Sequence, residues 1–170
     1  MKKTLVMMAG ALALSAVAVS AQAQEKRNAV SLFGNISSSS DFSQANVNAT
    51  YERLVTDKLS INVGATYFLM DFNGSDTSTL GVTAGATYYI GKPSQASNML
   101  FYGKGVVGFT RSEMAGAGSD TGNVVGLFAG LEQPLSEATS LFEELGVQRS
   151  KVFDQTETSV VFNIGLKIRF

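Results

Sequence analysis

Across residues 159–170, "SVVFNIGLKIRF", apolar and polar positions alternate. Phe162, Ile164, Leu166, Ile168 and Phe170 share one parity, while Asn163, Gly165, Lys167 and Arg169 take the other. A period of two marks a strand whose two faces meet different surroundings. Comparable runs recur from Ala29 onward: "AVSLFGNI", "QANVNATYERL", "LSINVGATYFLM", "STLGVTAGATYYI", "MLFYGKGVVGFTR", "NVVGLFAGLEQ" and "SLFEELGVQRSK". No segment of that region has the 3.6-residue period of a helix. The runs are separated by "SSSSDFS", "VTDK", "DFNGSDT", "GKPSQASN", "EMAGAGSDTG", "PLSEATS" and "FDQTET", all rich in turn-forming residues. The pattern predicts eight strands of about 8–13 residues. Alternate connections, those at the far end from the termini, are expected to be polar loops of about 6–11 residues.

One face of these strands is continuously apolar. In the third, Leu59, Ile61, Val63, Ala65, Tyr67 and Leu69 oppose Ser60, Asn62, Gly64 and Thr66. In the fourth, Leu80, Val82, Ala84, Ala86, Tyr88 and Ile90 oppose Gly81, Thr83, Gly85 and Thr87. Two architectures use such a pattern. A soluble barrel or sandwich turns the apolar face inward; a membrane barrel turns it toward lipid and fills its interior with the polar face. A face open to water should carry Lys, Glu, Asp and Gln. Here the polar face is mostly Gly, Thr, Asn and Ser, with glycine at Gly64, Gly81, Gly85, Gly108, Gly126, Gly130, Gly146 and Gly165. Glycine weakens a strand and serves where space is short, as inside a narrow lumen. The expected fold is therefore all-β: an eight-stranded antiparallel up-and-down transmembrane barrel with the apolar face outward. A soluble lipocalin-like barrel is the competing fold.

Length agrees with this choice. Phe101 and Phe109, like Phe162 and Phe170, are eight residues apart on the outward face. With about 3.3 Å per residue and a tilt near 40°, each pair spans roughly 20 Å along the membrane normal, close to the apolar band of such barrels. Tyr51, Tyr88, Phe101 and Phe170 are expected in the aromatic girdle on the periplasmic side, and Tyr67, Phe109 and Phe162 toward the outer one.

Composition narrows the chemistry. The 170 residues are 45% hydrophobic and contain no His, Cys or Trp. Imidazole bases, thiolate nucleophiles, disulfides and the usual zinc sites are therefore excluded. The chain opens with "MKK", an apolar stretch "TLVMMAGALALSAVAVS" and "AQA", the three parts of a secretory signal peptide. Cleavage after Ala23 would leave residues 24–170 as a single barrel domain. Losing Lys2 and Lys3 leaves 11 basic against 14 acidic residues, a charge of about −3. That mildly acidic balance does not suit nucleic-acid binding.

With its leader, eight alternating strands and closing "LKIRF", the chain resembles the small eight-stranded outer-membrane barrels of Gram-negative bacteria, the OmpX, Ail and OmpA transmembrane-domain group. The resemblance implies localisation in the outer membrane, contact with its lipids and lipopolysaccharide, and a monomeric, non-enzymatic barrel without cofactors. It also implies that Ile164, Leu166, Ile168 and Phe170 form the signal read by the barrel-assembly machinery. The last strand must pair with the first, since an open edge in hydrocarbon leaves backbone groups unsatisfied.

Of the candidate motifs, "GKGVVG" (Gly103–Gly108) matches a phosphate-binding pattern but is continued by Val106, Val107 and Phe109 as a strand, not a helix. The envelope-barrel enzymes known as families use a histidine that this chain lacks, and nothing marks a Ser–Lys or paired-carboxylate site. The inward charges say more. Glu52, Glu132, Glu144, Lys104, Lys167 and Arg169 balance three acids against three bases in the periplasmic half. They are expected to form an interior ion-pair network plugging the lumen; alternatively, Glu144 and Arg169 simply reach water near the strand ends. Arg111, Arg149 and Lys151 have outward parity at the extracellular ends of strands five and seven, where they could meet lipopolysaccharide phosphates. A structural or surface-interaction role follows, with a narrow conduit or solute-binding barrel as the alternative.

Overall fold

Each alternating run becomes one strand of a closed antiparallel barrel in simple sequential order. The strands are β1 (Asn28–Ser38), β2 (Phe42–Leu54), β3 (Leu59–Phe72), β4 (Ser75–Ile90), β5 (Leu100–Met114), β6 (Gly118–Pro134), β7 (Thr139–Val152) and β8 (Gln155–Arg169). The structure, a computed structural model, describes residues 27–38, 42–72, 75–93, 99–114, 116, 118–152 and 155–170. The expected leader, residues 1–23, lies outside the described residues. Both termini of the barrel meet at one end, where Asn28 N–H donates to the Phe170 carbonyl at 3.1 Å and Phe170 N–H donates to the Asn28 carbonyl at 2.9 Å.

β1 and β2, of 11 and 13 residues, fall within the expected 8–13, while the other six strands exceed it, reaching 17 in β6. The expected outer loops of 6–11 residues are correspondingly overturned. Ladders continue through segments read as breaks, with Phe72 opposite Ser75, Met114 opposite Gly118 and Val152 opposite Gln155. Polar residues such as Asp120, Thr156 and Thr158 extend the strands because ladder hydrogen bonds form regardless of side chain, whereas composition alone reads them as loop.

The registers define the barrel's stagger. Following partners once around from Arg169 of β8 leads to Ala29, Glu52, Asn62, Gly85, Val106, Gly126, Gln148 and then Ser159, again on β8. The circuit returns ten positions away, from 169 to 159, a shear of 10 for eight strands. With about 3.3 Å per residue and 4.8 Å between strands, that shear implies a tilt of about 40° and a backbone diameter of roughly 16 Å. Two long side chains from opposite walls fill such a lumen.

Parity distributes side chains as the period of two requires. Phe109, Val82, Leu127, Val160 and Phe162 lie exposed on the outside, Val160 to 76%, while Asn48, Glu52, Asn62, Thr87, Glu132 and Lys167 are buried inside. The inner face is not composed only of small and polar residues, however. Tyr89, Tyr102, Phe128 and Phe142 are also buried within it. These rings explain several glycines. Tyr102 lies opposite Gly130, Phe128 opposite Gly146, and Phe142 opposite Gly165. A methyl group at Gly130 would meet Tyr102 Oη at 2.6 Å, and one at Gly165 would meet Phe142 Cε1 at 2.9 Å. Phe33 meets Phe142 edge-on, with centroids 5.7 Å apart. Glycine here is the floor on which a neighbouring strand's ring rests, the usual way a sheet accommodates aromatic residues in restricted space.

Candidate functional site

The shear and registers bring inward side chains of β2, β4, β5, β6, β7 and β8 together in the half of the lumen nearer the termini. Two charge-balanced groups result. In the first, Lys167 Nζ lies 3.2 Å from Glu52 Oε2 and 3.1 Å from Glu132 Oε2. Arg169 holds Glu132 through Nε at 3.0 Å and through Nη2 at 2.8 and 2.6 Å, and its Nη1 lies 3.8 Å from Glu52. Tyr89 donates its hydroxyl to Glu52 Oε1 at 2.6 Å and accepts from Lys167 at 2.9 Å and from Arg169 at 3.3 Å. One acid, Glu52, and both bases share this phenol.

In the second group, Lys104 Nζ grips Glu144 at 2.5 and 2.6 Å. Tyr102 donates to Glu144 Oε1 at 2.9 Å, and the Asn163 amide donates to Oε2 at 3.4 Å. Aromatic rings join the groups. Tyr89 and Tyr102 have centroids 5.4 Å apart, and the Lys167 ammonium stands 5.4 Å from the first ring and 5.2 Å from the second. Lys104 lies 5.0 Å from the Phe128 centroid. These separations suit cation–π attraction, which gains strength in a desolvated setting.

Burying an ion costs several kcal/mol unless partners replace water. Each carboxylate here has at least two, so the arrangement meets that requirement. Among the described residues, the only buried side-chain oxygen or nitrogen without a partner is Thr110 Oγ1, outside this cluster. The cavity beside the cluster, reached by Ser31, Thr50, Asn62 and Tyr102, has a volume of about 10 Å³. That is room for roughly one water molecule.

All six inward charges named from the sequence lie in this cluster. Glu144 and Arg169 are both buried, so the alternative in which they reach water does not describe them. Tyr89 and Tyr102 were missed, although parity was signal enough: each neighbours an outward residue, Tyr88 or Phe101. A girdle accounts only for outward rings; Tyr89 and Tyr102, like Phe128 and Phe142, take the inward parity.

The remaining candidates lie outside the lumen. Tyr51, Tyr67, Tyr88, Phe101, Phe109 and Phe162 are exposed on the outer face. Ile164 and Leu166 are exposed there too, while Ile168 and Phe170 are half-buried. Arg111, Arg149 and Lys151 are exposed around β6: Arg111 is opposite Thr121, Arg149 opposite Val125, and Lys151 opposite Asn123. Arg111 Nε also lies 3.3 Å from Glu113. At the terminal end, Lys92 Nζ lies 2.7 Å from Asp57, tying the β4 exit to the β2–β3 turn; hydrogen bonding and charge from Lys92 hold the Asp57 carboxyl below its ordinary range.

No protein-family model matches the chain, and no curated protein does. Solved structures do resemble it. Neisserial surface protein A (NspA) superposes with a TM-score of 0.58 at 16% identity, covering 84% of this chain and 94% of that one. Ail, the attachment invasion locus protein of Yersinia pestis, gives 0.52 at 14% identity in its crystal structure, over 85% of this chain and 97% of that one. The Ail structure in a phospholipid bilayer nanodisc gives 0.53 at 16% identity, over 85% and 99%. The chain shares the fold of these small outer-membrane barrels.

Proposed function

We propose that the chain is an integral, monomeric barrel of the bacterial outer membrane, exported through a leader cleaved after Ala23, with residues 24–170 forming the barrel. In this reading its interior is sealed by its own side chains. Its role is structural, maintaining the envelope or presenting a surface, rather than conducting solutes or catalysing a reaction. The observation that carries the proposal is the plug across the terminal half of the lumen: charged and aromatic residues from six strands meet there beside a cavity of about 10 Å³. The apolar exterior supports a lipid surrounding, since side chains such as Leu127 and Phe162 gain nothing from exposure to water.

Arg111, Arg149 and Lys151 are assigned to lipopolysaccharide phosphates at headgroup level. Their grouping around β6 supports this, as does the low cost of charge near an interface. Ile164, Leu166, Ile168 and Phe170 are assigned to recognition by the assembly machinery. Planar-bilayer recording tests the sealed interior: the purified protein should give no stable current, and steady ion currents would favour the narrow conduit. Membrane fractionation combined with heat-modifiable gel migration tests the location; recovery in the soluble fraction would end the proposal.

A further inference from the structure

The junction that closes the barrel differs from the other seven. The β1–β8 ladder runs only from Ala29 opposite Arg169 to Phe33 opposite Gly165, followed at the terminal end by the exchange between Asn28 and Phe170. By contrast, β8 pairs with β7 from Ile168 to Gln155, and β1 pairs with β2 from Asn28 to Ser38. Among the described residues, no ladder joins β1 and β8 beyond Phe33. The seam therefore has few backbone hydrogen bonds where an unpaired edge costs most.

Within those few rows lie both cations of the first interior group. Lys167 is opposite Ser31, and Arg169 is opposite Ala29. Neither stops at β1. Because Ala29 and Ser31 are small and buried, the Lys167 ammonium passes over them to Glu52 on β2, beyond the seam. In the other direction, Lys167 and Arg169 pass over β7 to Glu132 on β6.

We propose that this four-charge group is a closure latch: it ties β8 to β2 across the short β1–β8 seam and to β6 on the other side, holding the barrel shut at a shear of 10. A seam slip of two residues preserves parity but changes the backbone diameter by about 1.5 Å. Hydrogen bonds of 2.6–3.2 Å between these strands do not survive that change. The Lys104–Glu144 pair joins β5 to β7 and has no part in the latch. The inference extends the sealed-lumen reading, and rests only on its membrane-barrel part.

The test uses the full chain, which has no native cysteine, refolded in phosphatidylcholine vesicles. Leu32→Cys with Leu166→Cys places directly opposed thiols across the seam; Leu145→Cys with Phe162→Cys does the same between β7 and β8. Bridge formation under a mild oxidant is followed in each background. Glu52→Leu, Glu132→Leu, Lys167→Met and Arg169→Met together delete the latch without stranding a buried charge. That change should slow the seam bridge about tenfold and leave the β7–β8 bridge near its original rate. Lys104→Met with Glu144→Leu should alter neither bridge, even if it opens the lumen to current, which separates latch from plug. If the fourfold variant fails to form the β7–β8 bridge as well, Glu52→Gln alone, which preserves shape and weakens the contact across the seam, should still slow the seam bridge about threefold relative to wild type. A seam bridge forming at the wild-type rate in whichever of these variants folds would overturn the proposal, as would an equal slowing by Lys104→Met with Glu144→Leu.

Discussion

Replacing Gly130 with alanine isolates one element of the interior packing. The added methyl would stand 2.6 Å from Tyr102 Oη and 2.7 Å from Cε2, too close for either atom. The ring must then tilt, and its hydroxyl loses its 2.9 Å bond to Glu144. Overpacking costs about 1–3 kcal/mol and a lost hydrogen bond to a charged group about 1.5–3 kcal/mol. Relief of glycine's backbone entropy returns about 0.5–1 kcal/mol. The balance is a destabilisation of about 2–5 kcal/mol. Gly103 supplies the control. It sits beside Tyr102 in β5 but faces outward, and a methyl there meets nothing within 4 Å. Gly103→Ala should be neutral or stabilising by up to about 1 kcal/mol. Urea titration in lipid vesicles, scored by the fraction retaining the compact form on an unheated gel, measures both. If the two variants shift the midpoint equally, the ring-on-glycine arrangement does not contribute as described.

The second ion pair predicts its own series. Lys104→Met leaves Glu144 buried with neutral partners and should cost about 3–5 kcal/mol, whereas adding Glu144→Leu should recover part of that loss; a double variant less stable than the single one, by urea titration, would contradict the desolvation account. Spin labels at Val82 and Leu166 should respond to lipid-dissolved oxygen, and labels at Thr83 and Asn163 should not; the opposite pattern would reverse the barrel's faces. Carboxyl NMR should find Asp57 titrating below its ordinary value of 3.8, with the shift abolished by Lys92→Gln. Because the folded value is depressed, any stability from this contact is present above the ordinary value and disappears as pH falls through the lower folded one.

Strand number, faces and the outward position of most aromatic residues were readable because they depend on a local rule: successive side chains alternate across a strand, and the solvent on each side selects their chemistry. The charges Glu52, Lys104, Glu132, Glu144, Lys167 and Arg169 were readable as inward for the same reason. Their partners were not. Lys104 could have met Glu132 as readily as Glu144 on parity alone, and Tyr89 could have been one more girdle ring. Strand ends were hidden for a related reason, since a ladder accepts Ser, Thr and Asp when its neighbour is in register. Pairing across a lumen depends on shear, and shear is a property of the closed circuit that no single strand contains. Alternation along each strand dictates which of its sides faces inward; it takes closure at ten residues of stagger to bring Lys167 and Arg169 to Glu52 and Glu132 around Tyr89.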